Sequence, residues 1–116
     1  MGHDIKVERL NSSILRELSL IFQKEFHDNE VIRSLSVKEV RLTNDLSHAK
    51  VFYSHLMDSI SKDEVIKEVQ MNAKEIRHQL AGKIEVKFVP ELEFIYDESL
   101  NNANKIEEIL KNIKKN

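Results

Sequence analysis

Positive side chains gather late in the middle third of the chain, where Lys74, Arg77, Lys83 and Lys87 face only Glu75 and Glu85, with His78 among them. Lys and Arg at that density can neutralise phosphates, Arg as a planar fork and Lys as a point charge. The same residues also suit the last turns of a helix, whose dipole favours cations there. Composition leaves both readings open. Asp45-Leu46-Ser47-His48-Ala49-Lys50-Val51 has the residue types of a functional loop, but turn chemistry followed by strand entry explains it equally well. Phe52 alternates with Lys50 and Ser54 on the strand face opposite Ala49, Val51 and Tyr53, which puts one aromatic near a basic residue, for stacking or for packing.

Residues able to run covalent or metal chemistry are sparse. His3, His27, His48, His55 and His78 are the only imidazoles, and no pair stands at i, i+4 with a third ligand in view. With no Cys there is no thiolate nucleophile, disulfide framework or iron–sulfur cluster. Gly2 and Gly82 are the only glycines, which excludes dinucleotide and Walker loops. No Ser sits in a Gly-x-Ser-x-Gly elbow. Asp63-Glu64 and Glu107-Glu108 read as a helix start and a solvated face. The expectation is a chain that is not an enzyme, with no metal and no cofactor.

With 116 residues the chain fits one domain, 1–116, and Leu, Ile, Val and Phe make up roughly a third of it, enough to bury a core. The formal charge of −2 argues against indiscriminate coating of nucleic acid and leaves room for a local basic face. No run of apolar residues is long enough for a membrane span, and the start lacks the pattern of a signal peptide. A cytoplasmic protein that does not engage membranes is expected.

The elements that must position the basic residues follow from periodicity. Val7, Leu10, Ile14, Leu18, Ile21 and Phe22 recur at spacings of three and four and predict a helix from about Lys6 to Phe26. Leu35 to Leu42 and Ala49 to His55 are rich in β-branched and aromatic residues and flank a turn-prone segment, which predicts a β-hairpin. Ser61-Lys62-Asp63-Glu64 is a capping box. It opens a helix through Val65, Val69, Ala73, Ile76 and Leu80, which Gly82 should end in the left-handed conformation. From Lys83 the apolar residues take the even positions, Ile84, Val86, Phe88, Leu92 and Phe94, predicting a half-buried strand over 84–94 with Pro90 at an edge or bulge. Asp97 or Ser99 would cap a last helix over about 99–113. Each strand has one apolar side, so the sheet should carry helices on one face and leave the other wet.

Several stretches in that frame resemble the bacterial ribosome-binding factor A family. They are Gln23-Lys24-Glu25-Phe26-His27-Asp28; Val40 to Tyr53 across the hairpin; Ile76-Arg77 with Leu80; and Val89-Pro90-Glu91-Leu92-Glu93-Phe94 with Asp97 and Ser99. Asp-Leu-x-x-Ala-Lys-Val followed some forty residues later by Pro-Glu-Leu-x-Phe-x-x-Asp-x-Ser is the specific combination, within a likeness spanning about Lys6 to Ser99. The resemblance implies an α+β, prokaryotic-type (type II) K-homology-like domain. Its order is helix, strand, strand, kinked helix pair, strand, and its core covers about 6–99. It further implies a monomer that binds the small ribosomal subunit and its ribosomal RNA and assists late maturation, including rRNA processing, without catalysis.

Ordinary K-homology domains clamp nucleic acid with a Gly-x-x-Gly loop, which this chain lacks. The family instead interrupts the helix, often at Ala-x-Gly, and the matching stretch here is Asn72-Ala73-Lys74, with Lys74 where the family often has Gly. Periodicity alone predicts one straight helix. By position the resemblance assigns RNA binding to Lys6 and Arg9 in the basic N-terminal segment and to Asn72, Ala73, Lys74 and Arg77 at the break, where freed amides could meet a phosphate. Charge clustering adds His78, Lys83 and Lys87, for about four to six Lys and Arg contacts in all. The competing reading is an α+β protein-interaction module that binds a peptide or subunit along the wet sheet face. A small-ligand regulatory domain is a third, for which the sequence offers no convergent polar pocket.

Overall fold

The structure, a computed structural model, describes residues 5–98. Val7, Ile14, Leu18, Ile21 and Phe22 form the buried stripe of helix α1, Ile5–Lys24, as the spacing predicts. A short helix, α2, Glu30–Arg33, follows, with the Asn29 side chain accepting from the Ile32 amide as its N-cap. Strands β1, Leu35–Leu42, and β2, His48–His55, form the expected antiparallel hairpin. Helix α3, Lys62–Ala81, starts where the Ser61 hydroxyl accepts from the Glu64 amide at 3.2 Å. Strand β3, Glu91–Tyr96, completes a sheet of order β1-β2-β3, pairing parallel to β2 through the α3 crossover. The last helix expected over 99–113 lies outside the described residues.

The core forms on one face of this sheet. Val40, Ala49, Val51 and Tyr53 join Ile14, Leu18 and Phe22 of α1 and Val65, Val69, Ile76 and Leu80 of α3 in a single buried cluster, with Ile32 of α2. Lys50 and Arg41 point the other way, and Arg41 lies 5.2 Å over the Phe52 ring on that outer face. Ser54, expected on the outer face with Phe52, is buried. The parity of β1 changes at a bulge between Val37 and Glu39, so Leu35 and Val37 face inward before it and Val40 and Leu42 after it.

Two expectations at the C-terminal end of α3 are corrected. Gly82 is not left-handed: its φ is −82° and ψ −7°. The helix tightens instead, with the Gly82 amide donating to the Gln79 carbonyl (3.2 Å) and the Lys83 amide to Leu80 (2.9 Å), so the final carbonyls find donors without a left-handed residue. The strand expected over 84–94 is confined to Glu91–Tyr96. Residues 84–90 run outside the sheet, where Ile84 is buried and Val86 half-buried but the alternation ends at exposed Phe88. Lys83 meets Glu25 just past α1 (3.8 Å), and the 86–89 stretch lies by Leu10 near the start of that helix. The ladder begins only where the Glu91 amide donates to the Ser47 carbonyl at 2.9 Å, since Pro90 has no N–H to extend it backward.

The hairpin turn is organised by Asp45. One carboxylate oxygen, Oδ1, accepts from the Thr43 hydroxyl (2.7 Å), the Ser47 amide (3.0 Å) and the Ser47 hydroxyl (2.7 Å), and Leu46 follows at φ 63°. The Ser47 and Thr43 hydroxyls, with the Ser47 amide, hold the Asp45 carboxyl at about 2, well below its usual range. A depressed folded value stabilises the turn above the ordinary carboxylate pKa, and that stabilisation is lost as pH falls through about 2. An NMR titration of the Asp45 carboxyl carbon should therefore show a midpoint near 2. A midpoint near ~4, the ordinary carboxylate value, would mean that these bonds do not persist in solution.

Candidate nucleic-acid interface

Lys74, Arg77, His78 and Ala81 follow one another at spacings that place them on one side of α3. The 84–90 segment runs beside that side, and together with Lys87, Phe88 and Val89 they line a shallow depression of about 520 Å³. Lys74, His78 and Lys87 are exposed. The fold thus joins three of the expected basic residues from two stretches of chain.

Arg77 has a different task within this surface. Its Nε donates to the Pro90 carbonyl (3.1 Å) and its Nη2 to the Val89 carbonyl (2.7 Å), while Nη1 lies 3.5 Å from Glu91 Oε1. The guanidinium fork therefore satisfies two carbonyls that no strand pairs and fixes the entry into β3. Arg77→Gln is expected to lower the unfolding free energy by about 1–3 kcal/mol, because an amide cannot reach both carbonyls. Denaturant midpoints check this, and an unchanged midpoint would remove Arg77 from the scaffold.

The other candidates lie apart. Asn72 falls two residues before Lys74 and so on nearly the opposite side of α3. Its Nδ2 donates to the Glu68 carbonyl (2.8 Å) and carboxylate (3.1 Å), and Asn29 reaches the same carboxylate at 3.4 Å, which ties α3 to the cap of α2. Ala73 is half-buried. Lys83 faces Glu25 across from the depression. Lys6 and Arg9 are exposed on the first turns of α1. His55 is a packing histidine: its Nε2 donates to the Ile60 carbonyl (2.9 Å) and its Nδ1 accepts from the Tyr96 hydroxyl (2.8 Å). Among the described residues no group of three or more acids or histidines could hold a metal ion.

Phe88 is the largest departure from expectation. Even spacing assigns it to the core, yet it is 76% exposed, with the Lys87 ammonium 5.6 Å from its ring centroid. On the side away from Lys74 and His78, Phe88 borders a second depression of about 590 Å³, whose apolar wall includes Leu10, Leu46 and Val86. Pro90, which cannot donate to a ladder, was the only sequence signal that the strand could fail there.

The sequence profile of the family described as ribosome-binding factor A matches residues 6–110. The chain belongs to the ribosome-binding factor A family. A ribosome-binding factor A of Syntrophomonas wolfei is 39% identical over 108 residues, covering 92% of this chain and 88% of that one. One from Chlorobaculum tepidum is 38% identical over 112 residues, covering 95% and 92%. Among solved structures, the Thermus thermophilus ribosome-binding factor A crystal structure is similar with a TM-score of 0.68 at 20% identity, covering 80% of this chain and 97% of that one. A Thermus thermophilus homology model, fitted into the cryo-EM map of a 30S–RbfA complex, gives a TM-score of 0.62 at 21% identity, covering 76% and 91%. These likenesses show the fold, an α+β, K-homology-like domain with a three-stranded mixed sheet.

The helix break that resemblance to the ribosome-binding factor A family implies is not found here. Residues 62–81 form one helix of 20 residues, helical through Asn72, Ala73 and Lys74. Lys has no need of the backbone freedom that Gly supplies and is a far better helix former, by about 1 kcal/mol. The single helix predicted by periodicity, rather than a helix pair, is the observed one, and no amides are freed at 72–74 to receive a phosphate.

Proposed function

We propose that this chain binds the small ribosomal subunit through its ribosomal RNA and assists late maturation of the subunit, including rRNA processing. In this reading it acts as a cytoplasmic monomer, by binding and not by catalysis. The observation that carries the reading is membership in the ribosome-binding factor A family across nearly the whole chain. The basic face of Lys74, His78 and Lys87 supports it as the phosphate-contacting surface, with Lys6 and Arg9 as further contacts from α1. Arg77 serves this face by holding the 89–90 carbonyls in place.

With roughly four cationic contacts, affinity should fall as salt rises, with a slope of log K against log salt of about −3. RNA whose shape is preset in an assembled subunit should bind far better than short single-stranded RNA. Co-sedimentation of the full chain with purified small subunits over a salt series tests this. Retention that is insensitive to salt, or equal binding of unstructured oligomers, would contradict it. One feature favours the competing protein-interaction reading: the outer sheet face, with Phe52 under Arg41, is covered by no described element.

A further inference from the structure

Resting on that reading, we infer that Phe88 is a stacking platform for one unpaired RNA base, received in the cleft between Phe88, Leu10 and Leu46 while Lys74, His78 and Lys87 hold the flanking phosphates. A Phe with 76% of its surface exposed contributes little to folding, so a purely structural explanation of this side chain is weak. Its position is specific. The ring stands at the border of an apolar cleft on one side and a basic depression on the other, and Lys87, Phe88 and Val89 line both. An unpaired nucleotide has the matching two-part chemistry, a flat π face beside an anionic phosphate.

The charge arrangement favours a nucleotide over an apolar segment of protein. Two acids also border the cleft, and both are engaged: Asp45 accepts from Thr43 and Ser47, and Glu91 lies beside Arg77. Lys74 and His78 on α3, with Lys87 beside the ring, remain exposed in the adjoining depression on the other side of Phe88. The Lys87 ammonium, 5.6 Å from the ring centroid, would lie close to the phosphate of a base stacked on that ring. The cleft volume of about 590 Å³ falls within the range of pockets that receive small ligands and leaves room for a base. Hairpin residue Leu46, at φ 63°, supplies the wall across from Phe88.

The test compares Phe88→Ala, Phe88→Leu and Phe88→Tyr with the parent in co-sedimentation with purified small subunits over a salt series. Loss of one stacked base should weaken binding roughly 5- to 100-fold for Ala and for Leu. The slope of log K against log salt should stay that of the parent, since no charge is removed. Tyr keeps the π face and should restore binding. Thermal midpoints should match the parent for all three. If Phe88→Ala binds like the parent while the parent itself binds in a salt-dependent way, the stacking role is overturned and the proposed function stands. Full binding by Phe88→Leu with loss in Phe88→Ala means apolar packing against a protein, which also overturns it. A parent that fails to bind subunits overturns the functional reading, and the stacking role falls with it.

Discussion

Leu18→Ala is expected to lower the unfolding free energy by about 3–5 kcal/mol, a large part of the total stability of a domain of this size. Leu18 is 0% exposed and sits in the middle of the α1 stripe, inside the cluster that α3 and the sheet close around it. Truncation removes its transfer free energy and leaves a cavity that neighbours on three elements cannot all collapse into. Phe88→Ala, which alternation alone would make comparably costly, is expected to shift stability by less than about 0.5 kcal/mol, because the ring is already in water. Denaturant midpoints at equal slope compare the two directly. Similar losses for both would mean that the Phe88 ring is packed into the core in solution.

Replacing Lys74 and Lys87 together by Glu is expected to weaken binding to small subunits at least 100-fold at moderate salt. Each reversal removes a cation near a phosphate and puts an anion there, so attraction becomes repulsion at two points of one surface. Both side chains are exposed, so the thermal midpoint should move by no more than about 2 °C. Arg77 is left unchanged in this variant because its loss would disturb β3 entry and confuse folding with binding. Co-sedimentation equal to the parent would show that the RNA surface lies elsewhere.

What could be read in the sequence was mostly local. The α1 stripe, the hairpin and the Ser61 cap each depend on residues a few positions apart, and all three stand in the structure. The bulge in β1 between Val37 and Glu39 was not read, because a strand with one apolar side was expected there. The family resemblance, carried by the Asp45–Val51 and Pro90–Ser99 motifs, gave the fold class. What failed depended on distant partners. Period-two alternation reports that every second side chain is covered, not what covers it, so Ile84 and Val86 bury themselves in the core without joining the sheet. Phe88 shares their parity, but its ring stays in water.

The candidate site divides in the same way. Lys74 and His78 at i, i+4 announce a shared helix face, and charge clustering brought in Lys87. Arg77 looked like one more cation of that cluster. Its actual partners are the carbonyls of Val89 and Pro90, some twelve residues on, and nothing in composition distinguishes an arginine that holds backbone from one that awaits a phosphate. Asn72 was assigned by its position at the family's helix break, whereas the unbroken helix turns it toward Glu68 and Asn29. An unbroken α3 follows from Lys74 in place of a glycine, a point visible in the sequence once the helix assignment is trusted.

The central claim is that the α3 basic face meets small-subunit RNA while the outer sheet face does not. It is tested most directly by placing a photoreactive diazirine side chain at His78 in one variant and at Lys50, on the outer sheet face, in another. Each full-length variant is then irradiated on purified small subunits. Label at position 78 should attach to the subunit's ribosomal RNA, and label at position 50 should attach to little or nothing. Attachment from position 50 to a ribosomal protein, with none from position 78 to RNA, would contradict the account and support protein docking along the sheet.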